Sequence, residues 1–484
     1  MACRCPHLES LSVSKAILIG SACLLAALLS LLAFNPGLTY DPAAWAVWAA
    51  ELPHRTMGLG SGPSWKPLPV LLTAPFALVS WEFGGESWLV IARAGSIATS
   101  VLLWRVASRA VTADNAPWKT TPSALIAGGT AALLPWLIPS WVQFASGGAS
   151  EPVMMALLLA AVEAHLAGRA KIALALVVGA GLVRPEVWAL LAIYGVYMMR
   201  REGVRALPPL LLAAVVELIG WFGIPWMAGG DPLQATHRAR VFVDREVPVD
   251  EFLRRVSTEL PWEAWLLITL GVVATVVLKR RVLTAITLTG LGWLLVVTAM
   301  TEGGYSGISR YAVPALVILC ATAGAGAGWV VGLATNRGAQ TAIAAVAVVL
   351  LLGTTVARAP ELSAQVNRVD RIGEIGRDSV VVLQRAGGVR ELIRQCGALG
   401  TNWVYTPVVS WRAGVSLGNI GFRRTAPAIV LIHPRSVTSG APTHANNFQP
   451  LPPRGATSQV TITSTRDWKV VRFSSRSSRA SACR

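Results

Sequence analysis

Two neighbouring stretches decide the fold: KAILIGSACLLAALLSLLAF (residues 15–34) and TYDPAAWAVWAAELPHRTMGLGSGPSWKPLP (residues 39–69). The first is an apolar run of about 20 residues, the length at which a helix crosses a bilayer. No small-residue cleavage site follows it, which favours a retained span over a removed signal peptide. The second stretch carries an aspartate, a lysine and three tryptophans directly after that span. Residues able to do chemistry are therefore expected where the first span ends.

The composition is that of a polytopic membrane protein. Of the 484 residues, 54% are hydrophobic and only 14% are charged, whereas about a quarter of the residues of a soluble protein are charged. The net charge of +17 is spread over short loops between apolar runs, a pattern that cytoplasmic orientation explains. This distribution argues against nucleic acid as a partner.

Further apolar runs raise the expected number of transmembrane helices to about eleven, which predicts an all-α polytopic bundle. The predicted spans are 16–34, 88–108, 122–139, 152–168, 172–184, 187–200, 207–227, 262–278, 282–300, 312–334 and 340–357. Residues 68–81 are short and proline-rich, so we expect a segment that is only half embedded. With a cytoplasmic N-terminus the basic clusters at 105–119, 169–171, 200–205, 279–281 and 337 all lie on the cytoplasmic side. The first outer loop, residues 35–87, and the chain after residue 357 then lie outside the plasma membrane.

The tail, residues 358–484, differs in composition from the membrane part, residues 1–357. It alternates short apolar stretches with Gly, Pro and Ser, and VRELIRQC (389–396) has the pattern of an amphipathic helix. We expect a small extracytoplasmic α/β domain whose last residues, 474–484, are disordered. Outside the cell, Cys396 and Cys483 would be free to form a disulfide.

Asp41 is the sharpest candidate for catalysis. An acid at the membrane surface is partly desolvated, which suits a general base. Trp45 and Trp48 follow at helical spacing and predict an interfacial helix over 43–52, with the tryptophans toward lipid or the protein body. The alternative is structural, because Asp followed by Pro is also a good helix start in which Asp41 would be the N-cap.

Lys66 and Glu151 are the next candidates. Lys66 stands between prolines and beside Trp65, so it is rigidly presented as an anionic phosphate requires; its alternative role is snorkelling at the membrane surface. Glu151 is predicted at the start of a span, where a carboxylate is stabilised by the helix dipole.

Two outer turns carry the remaining candidates. Arg184 and Glu186 flank a proline and are expected to form a mutual ion pair. Arg310 and Tyr311 lie at the mouth of a span, where an arginine is costly unless it meets a carboxylate or a lipid phosphate.

Other residues support different functions. Glu217 lies mid-span and would be the natural centre of a transporter or flippase for a lipid-linked or small polar substrate. His237, Arg238, Arg240 and Asp244 occupy a large outer loop, where they could contact substrate or a metal, but one histidine is a weak metal signal. A third alternative is a non-catalytic scaffold whose basic tail docks on anionic glycan or lipid headgroups.

The sequence contains no HExxH, Walker A or GxSxG motif, which disfavours zinc proteases, P-loop ATPases and that class of serine hydrolase.

Several motifs together resemble the GT-C superfamily of integral membrane glycosyltransferases. They are YDPAAWAVWAAEL (40–52), GPSWKPLPVLLTAPFALV (62–79), ASEPVMMALLLAAVEAHLAGR (149–169), ALALVVGAGLVRPEVWALL (173–191) and GGYSGISRYAVP (303–314). The resemblance covers about residues 10–335 and implies a polyprenyl-phosphate sugar donor, a membrane lipid. The acceptor would be a cell-envelope glycan, glycolipid or protein, as in cell wall biogenesis.

The resemblance also implies roles for residues. Asp41 matches the catalytic acid of the family's first outer loop, and Lys66, Arg184 and Arg310 would bind or neutralise the leaving phosphate. Many members carry two adjacent acids in this loop, whereas Asp41 is flanked by Tyr40 and Pro42. We therefore expect an inverting, metal-independent transferase without a cofactor, although the superfamily also includes members that use a divalent metal.

Overall fold

The computed structural model describes residues 13–55, 57–112, 121–241, 247–304, 307–397, 399–421, 426–433, 453 and 455–475. The chain is predominantly helical and ends in a small sheet. The helices are α1 Val13–Ala33, α2 Tyr40–Glu51, α3 Pro67–Ala77, α4 Trp81–Val111, α5 Pro122–Leu133, α6 Pro139–Gly147, α7 Glu151–Leu166, α8 Ala170–Gly181, α9 Trp188–Glu202, α10 Leu207–Leu218, α11 Ile224–Met227, α12 Gln234–Val241, α13 Val249–Glu259, α14 Trp262–Leu278, α15 Arg281–Glu302, α16 Val313–Gly332, α17 Arg337–Arg385, α18 Val389–Cys396 and α19 Thr406–Ala413. The strands are β1 Leu399–Thr401, β2 Ile420–Gly421, β3 Ala428–Ile432, β4 Ala456–Ser464 and β5 Lys469–Ser475.

The helical part is a multi-pass membrane bundle, as predicted. Within the described residues, 6 helices are long and apolar enough to cross a membrane, or up to 8 if each of two bent helix pairs forms one span. The count of eleven is not confirmed, because α3 and α8 are shorter apolar helices and the predicted spans 187–200 and 207–227 lie in one continuous helical segment, Pro185–Met227. The half-embedded segment predicted after residue 67 corresponds to α3, with Pro75 inside it.

Helix α16 lies at the centre of the bundle. Its glycines allow close backbone approach, because a Cβ on Gly328 would lie 2.6 Å from an atom of Ala127 in α5, and one on Gly326 would lie 2.5 Å from the backbone of Gly271 in α14. Small residues at helix contacts are typical of membrane bundles. The buried α16 fixes the turn that precedes it, which carries Arg310 and Tyr311.

Helix α2 is buried in the protein and does not lie on the lipid surface. The indoles of Trp45 and Trp48 are both 0% exposed, with ring centroids 5.8 Å from Trp88 and 5.8 Å from Trp65 respectively. Of the two predicted orientations of the tryptophans, the one toward the protein body is observed.

The predicted N-cap role of Asp41 is not observed. Helix α2 begins at Tyr40, so its N-cap position falls on Thr39, which makes no side-chain capping hydrogen bond. Asp41 occupies the first turn, where its charge favours the helix dipole, and its carboxylate accepts a hydrogen bond from Arg310.

The chain after residue 385 forms a mixed five-stranded sheet in the order β2-β1-β3-β5-β4. Strand β1 pairs in parallel with β2 and β3, whereas β5 is antiparallel to β3 and β4. The predicted amphipathic helix is α18, and the small α/β domain is present. The boundary predicted after residue 357 falls inside α17, whose second half packs into the domain core through Ile375 and Val382.

The C-terminal domain contacts the helices around the first loop. The indole of Trp411 donates to the carbonyl of Trp81 over 2.9 Å, and Arg412 pairs with Glu82 at 3.0 Å. Cys396 is disulfide-bonded. Of the disordered end expected over residues 474–484, the first two residues belong to β5, and residues 476–484 with Cys483 lie outside the described residues.

Candidate active site

One cluster contains all of the site residues that the sequence predicts. They come from five separate parts of the chain: the start of α2, the loop before α3, the start of α7, the turn after α8 and the turn before α16. The members are Asp41, Lys66, Glu151, Arg184, Glu186, Arg310 and Tyr311. We call them the ionic cluster.

Arg310 joins two carboxylates. Its Nη1 donates to Asp41 Oδ2 over 2.7 Å, and its Nε donates to Glu151 Oε1 over 2.8 Å. The guanidinium also lies over the ring of Phe144, 5.5 Å from its centroid. One arginine thereby fixes the distance between the proposed base and the rest of the ionic cluster.

Glu151 is the buried centre of the cluster. The side chain is 0% exposed, and Oε1 lies 3.0 Å from Arg184 Nη1 and 3.9 Å from Lys66 Nζ, in addition to Arg310. Such a carboxylate repels a phosphate and attracts cations. Glu151 therefore holds the three cations in place and does not itself contact an anion.

Arg184 is bound by carboxylates on two sides. It donates to Glu186 over 2.8 Å and 3.4 Å in the predicted mutual ion pair, and to Glu151 over 3.0 Å. Its guanidinium lies 4.8 Å from the ring centroid of Tyr311. Because Arg184 is also buried, it supports Glu151 and is not free to reach a ligand.

Lys66 is held in a largely apolar environment. Its Nζ donates to Ser150 Oγ over 2.8 Å and lies 5.0 Å from the centroid of the Trp45 ring. Burial lowers the pKa of Lys66 to about 8, an effect that Glu151 opposes and that Arg310 and Arg184 reinforce. The ammonium therefore loses its proton at a lower pH than an ordinary lysine, and an additional anion would raise its pKa again.

Four charged groups of the cluster keep some accessible surface. Their side chains are 29% exposed at Arg310, 20% at Asp41, 16% at Glu186 and 11% at Lys66. Asp41 Oδ1 and Arg310 Nη2 make no hydrogen bond to the described residues. The accessible part of the cluster thus includes an unbonded carboxylate oxygen of Asp41, two cationic donors and the carboxylate of Glu186.

Sequence inspection missed the residues that hold the Lys66 loop. Gln234 is buried; its Oε1 accepts from the Trp65 backbone N–H over 2.8 Å, and its Nε2 donates to the carbonyls of Pro63 and Leu59 over 2.7 and 3.0 Å. Gln234 is 169 residues from Trp65 along the chain, so no local pattern could have indicated the contact. Ser150, which accepts from Lys66, was missed for the same reason.

Glu217 lies outside the ionic cluster. It accepts a hydrogen bond from Trp188 Nε1 over 3.1 Å and packs against Gly181, just before the π-helical turn Ile219–Gly223. It is not the only buried ionisable group of the bundle, because Arg93 is also buried within α4. Glu163 likewise pairs with two arginines of that helix, Arg105 and Arg109.

In the described part of the chain no three His, Cys, Asp or Glu side chains are grouped so as to hold a metal ion. Of the outer-loop candidates, His237 pairs with Asp231 at 2.5 Å, whereas Asp244 lies outside the described residues.

The fold is similar to that of solved membrane proteins. ArnT from Cupriavidus metallidurans in the apo state aligns with a TM-score of 0.51 at 14% identity, over 95% of this chain and 97% of that one. The structure of ArnT from the same organism bound to undecaprenyl phosphate aligns with a TM-score of 0.54 at 14% identity, over 96% and 99% of the two chains. No protein-family model matches the sequence, and no curated protein sequence matches it either. The comparison confirms the predicted GT-C-like fold.

Proposed function

We propose that the protein is a membrane glycosyltransferase that moves a sugar from a polyprenyl-phosphate donor to a hydroxyl of a cell-envelope glycan, glycolipid or protein. The observation that carries the proposal is the bridge from Asp41 through Arg310 to Glu151, with Lys66 beside it. This arrangement brings a carboxylate oxygen, which would be the base, next to two cationic side chains, which would bind the phosphate. The structural similarity to a protein bound to undecaprenyl phosphate supports a ligand of the same class.

The donor phosphate would bind to Lys66 and Arg310. A glycosyl phosphodiester carries one negative charge, and the polyprenyl phosphate that leaves carries a second. Cations beside the leaving oxygen therefore stabilise the transition state more than the bound donor. The lowered pKa of Lys66 fits this role, because an approaching phosphate favours the protonated amine.

Asp41 would act as the general base. The acceptor oxygen forms a bond to the anomeric carbon while the bond from that carbon to the phosphate oxygen breaks. The acceptor proton passes to Asp41 Oδ1, since Oδ2 is bonded to Arg310. A single displacement of this kind inverts the anomeric centre. Every charge in the step is matched by a side chain, so we propose that a metal ion is not required.

The site would lie on the outer face of the plasma membrane, with the N-terminus in the cytoplasm. The first apolar helix, α1, ends at Ala33, seven residues before α2 begins at Tyr40, which keeps Asp41 close to the membrane surface. A lipid-linked donor reaches such a site sideways from the bilayer, without leaving its apolar solvent.

The test is a transfer assay in membranes with labelled polyprenyl-phosphate pentoses and hexoses and a mixed envelope acceptor. Asp41→Asn should lower transfer by about 10²- to 10⁴-fold, the usual contribution of a general base. Asp250→Asn is the matched control, because Asp250 also lies in the first turn of a helix, α13, and is exposed. Equal transfer by the wild type and Asp41→Asn would contradict the proposal.

Two further measurements separate the alternatives. EDTA should leave wild-type transfer unchanged, and a loss that Mg²⁺ or Mn²⁺ restores would show that the metal-independent step is wrong. Glu217→Gln should leave transfer within about twofold of the wild type, since a buried hydrogen-bonded acid outside the site affects stability more than chemistry. Loss of substrate transport in Glu217→Gln, with no transfer by the wild type, would favour a transporter.

A further inference from the structure

A cleft separate from the ionic cluster opens between two glycine-containing segments. It has a volume of about 380 Å³ and lies between Met57–Gly60 and Gly229–Arg238. That volume is within the range of small-molecule sites. None of its lining residues belongs to the ionic cluster, and the cleft therefore offers a second, independent set of contacts.

The cleft is joined to the ionic cluster through Gln234. Gln234 lines the cleft and also fixes the backbone of Trp65, the residue before Lys66. The hydroxyl of Ser64 donates to the carbonyl of Ala235 over 3.3 Å, which adds a second link. A ligand in the cleft would consequently lie next to the loop that presents Lys66.

The lining is suited to a sugar. Asp231 and His237 form a pair of hydrogen-bonding groups at 2.5 Å that remains exposed to solvent, and such groups bind neighbouring hydroxyls. Gly60 adds no side chain to this wall, and a Cβ there would meet no atom within 4 Å. Met57 and Leu59 are buried apolar residues in the same wall that can contact the C–H face of a ring.

Arg238 gives the cleft a positive charge. It is one helical turn after Gln234, so the two side chains share a face of α12. Burial and Asp41 raise the pKa of the Tyr40 phenol, whereas Arg238 lowers it. Arg238 makes no ion pair or hydrogen bond with the residues that the structure describes.

We propose that this cleft is the acceptor site and that it takes a sugar bearing an anionic group, a phosphate or a carboxylate, which Arg238 binds. This inference rests on the proposed transferase function, and it identifies the chemical class of the acceptor. Asp231 and His237 would bind hydroxyls of the same sugar, and the hydroxyl to be glycosylated would face Asp41. Lys66 and Arg310 then hold the donor, and Arg238 holds the acceptor.

The test measures the binding of three ligands to the same purified full-length protein in nanodiscs. Ligand-observed NMR titrations give the Kd of glucose 6-phosphate and of glucose, and a separate titration gives the Kd of undecaprenyl phosphate. Glucose 6-phosphate should bind at least about tenfold more tightly than glucose, as a charged hydrogen bond implies. Arg238→Gln should abolish that difference, whereas Arg254→Gln, an exposed arginine of α13, should preserve it.

A variant that blocks the cleft tests whether the sugars bind there. A Cβ on Gly60, which lines the cleft, meets no atom within 4 Å, so a side chain can start there, and Gly60→Trp should fill the cleft and remove binding of both sugars. Unchanged undecaprenyl phosphate binding in every variant shows that the protein is folded. Equal affinity for glucose and its phosphate, or an Arg238→Gln variant that behaves as the wild type, would overturn the inference. Failure of the wild type to bind undecaprenyl phosphate would instead count against the proposed function.

Discussion

Asp41 and Arg310 are 269 residues apart in the chain, yet their side chains share a hydrogen bond of 2.7 Å. The same guanidinium is the most accessible cation of the ionic cluster. A donor phosphate that binds Arg310 would therefore compete with Asp41 for its hydrogen bonds. The base would become more available as the donor binds, which couples activation of the acceptor to the presence of the sugar.

Arg310→Lys should separate the effect of the positive charge at this position from the effect of its hydrogen-bond geometry. Lysine keeps the positive charge but cannot donate to Asp41 and Glu151 through a fixed fork. We expect transfer to fall by about 10²-fold while undecaprenyl phosphate still binds, whereas Arg310→Gln should lose both. Rates and Kd values from the same membrane preparations provide the measurement. A lysine variant with wild-type transfer would show that the bridge to Asp41 has no catalytic role.

Binding of undecaprenyl phosphate should weaken as the pH rises above about 8, the pKa of Lys66 in the free protein. Below that pH the amine is protonated in the absence of ligand; above it, the proton must be taken up on binding. The Kd should therefore rise by up to tenfold per pH unit until the pKa of the complex is reached. Titrations between about pH 7 and 9.5 test this, because the phosphate itself titrates near 6.

The matched variants for this pH dependence are Lys66→Arg and Lys66→Gln. Arginine stays protonated throughout this range, so its Kd should be independent of pH. Glutamine should bind weakly and also without pH dependence. A pH dependence that persists in both variants would assign the titration to another group.

Glu151→Gln should impair both stability and donor binding. It removes the carboxylate charge that three cations share. The loss of one partner from a buried ion pair lowers the free energy of unfolding by about 3–5 kcal/mol. Glu163→Gln is the control, because Glu163 is also buried and also pairs with two arginines, Arg105 and Arg109. Both variants should melt earlier, but only Glu151→Gln should weaken undecaprenyl phosphate binding. An equal loss of binding in both variants would show that Glu151→Gln weakens binding only because it destabilises the protein.

Gln234→Leu tests the support of the Lys66 loop. Leucine retains the approximate volume but leaves the Trp65 amide and the carbonyls of Leu59 and Pro63 without partners. We expect the free energy of unfolding to fall by about 1–3 kcal/mol and the donor KM to rise with little change in kcat. Thermal unfolding and initial rates check the two effects separately, and an unchanged donor KM would show that Lys66 is positioned without this contact.

The sequence predicted the fold class and the members of the ionic cluster better than the boundaries of the helices. Charged side chains at the ends of apolar runs meet at the same membrane surface, so Asp41, Glu151 and Arg310 could be grouped before their contacts were known. The predicted span 262–278 coincides with α14, because Pro261 precedes it and Lys279 follows it.

Other features depend on tertiary contacts that have no local pattern. The spacing of Trp45 and Trp48 defines one face of α2 but not whether that face meets lipid or Trp88. Likewise, the change in composition near residue 358 marks a change from apolar to amphipathic helix, and α17 continues through it with Pro360 inside. The place of Glu151 at the start of a helix could be predicted, but only the positions of Arg184 and Arg310 show that its partners are cations.

The 49-residue helix α17 is about 74 Å long at the usual rise per residue of an α-helix. It leaves the membrane and ends inside the sheet domain, and on the way Gly373 packs so tightly against Pro36 that no Cβ would fit. Pro36 is five residues before Asp41. A tilt of the sheet domain relative to the bundle would therefore move the backbone of the segment that leads to Asp41. The position of the carboxylate is thus tied to the position of a domain at the other end of α17.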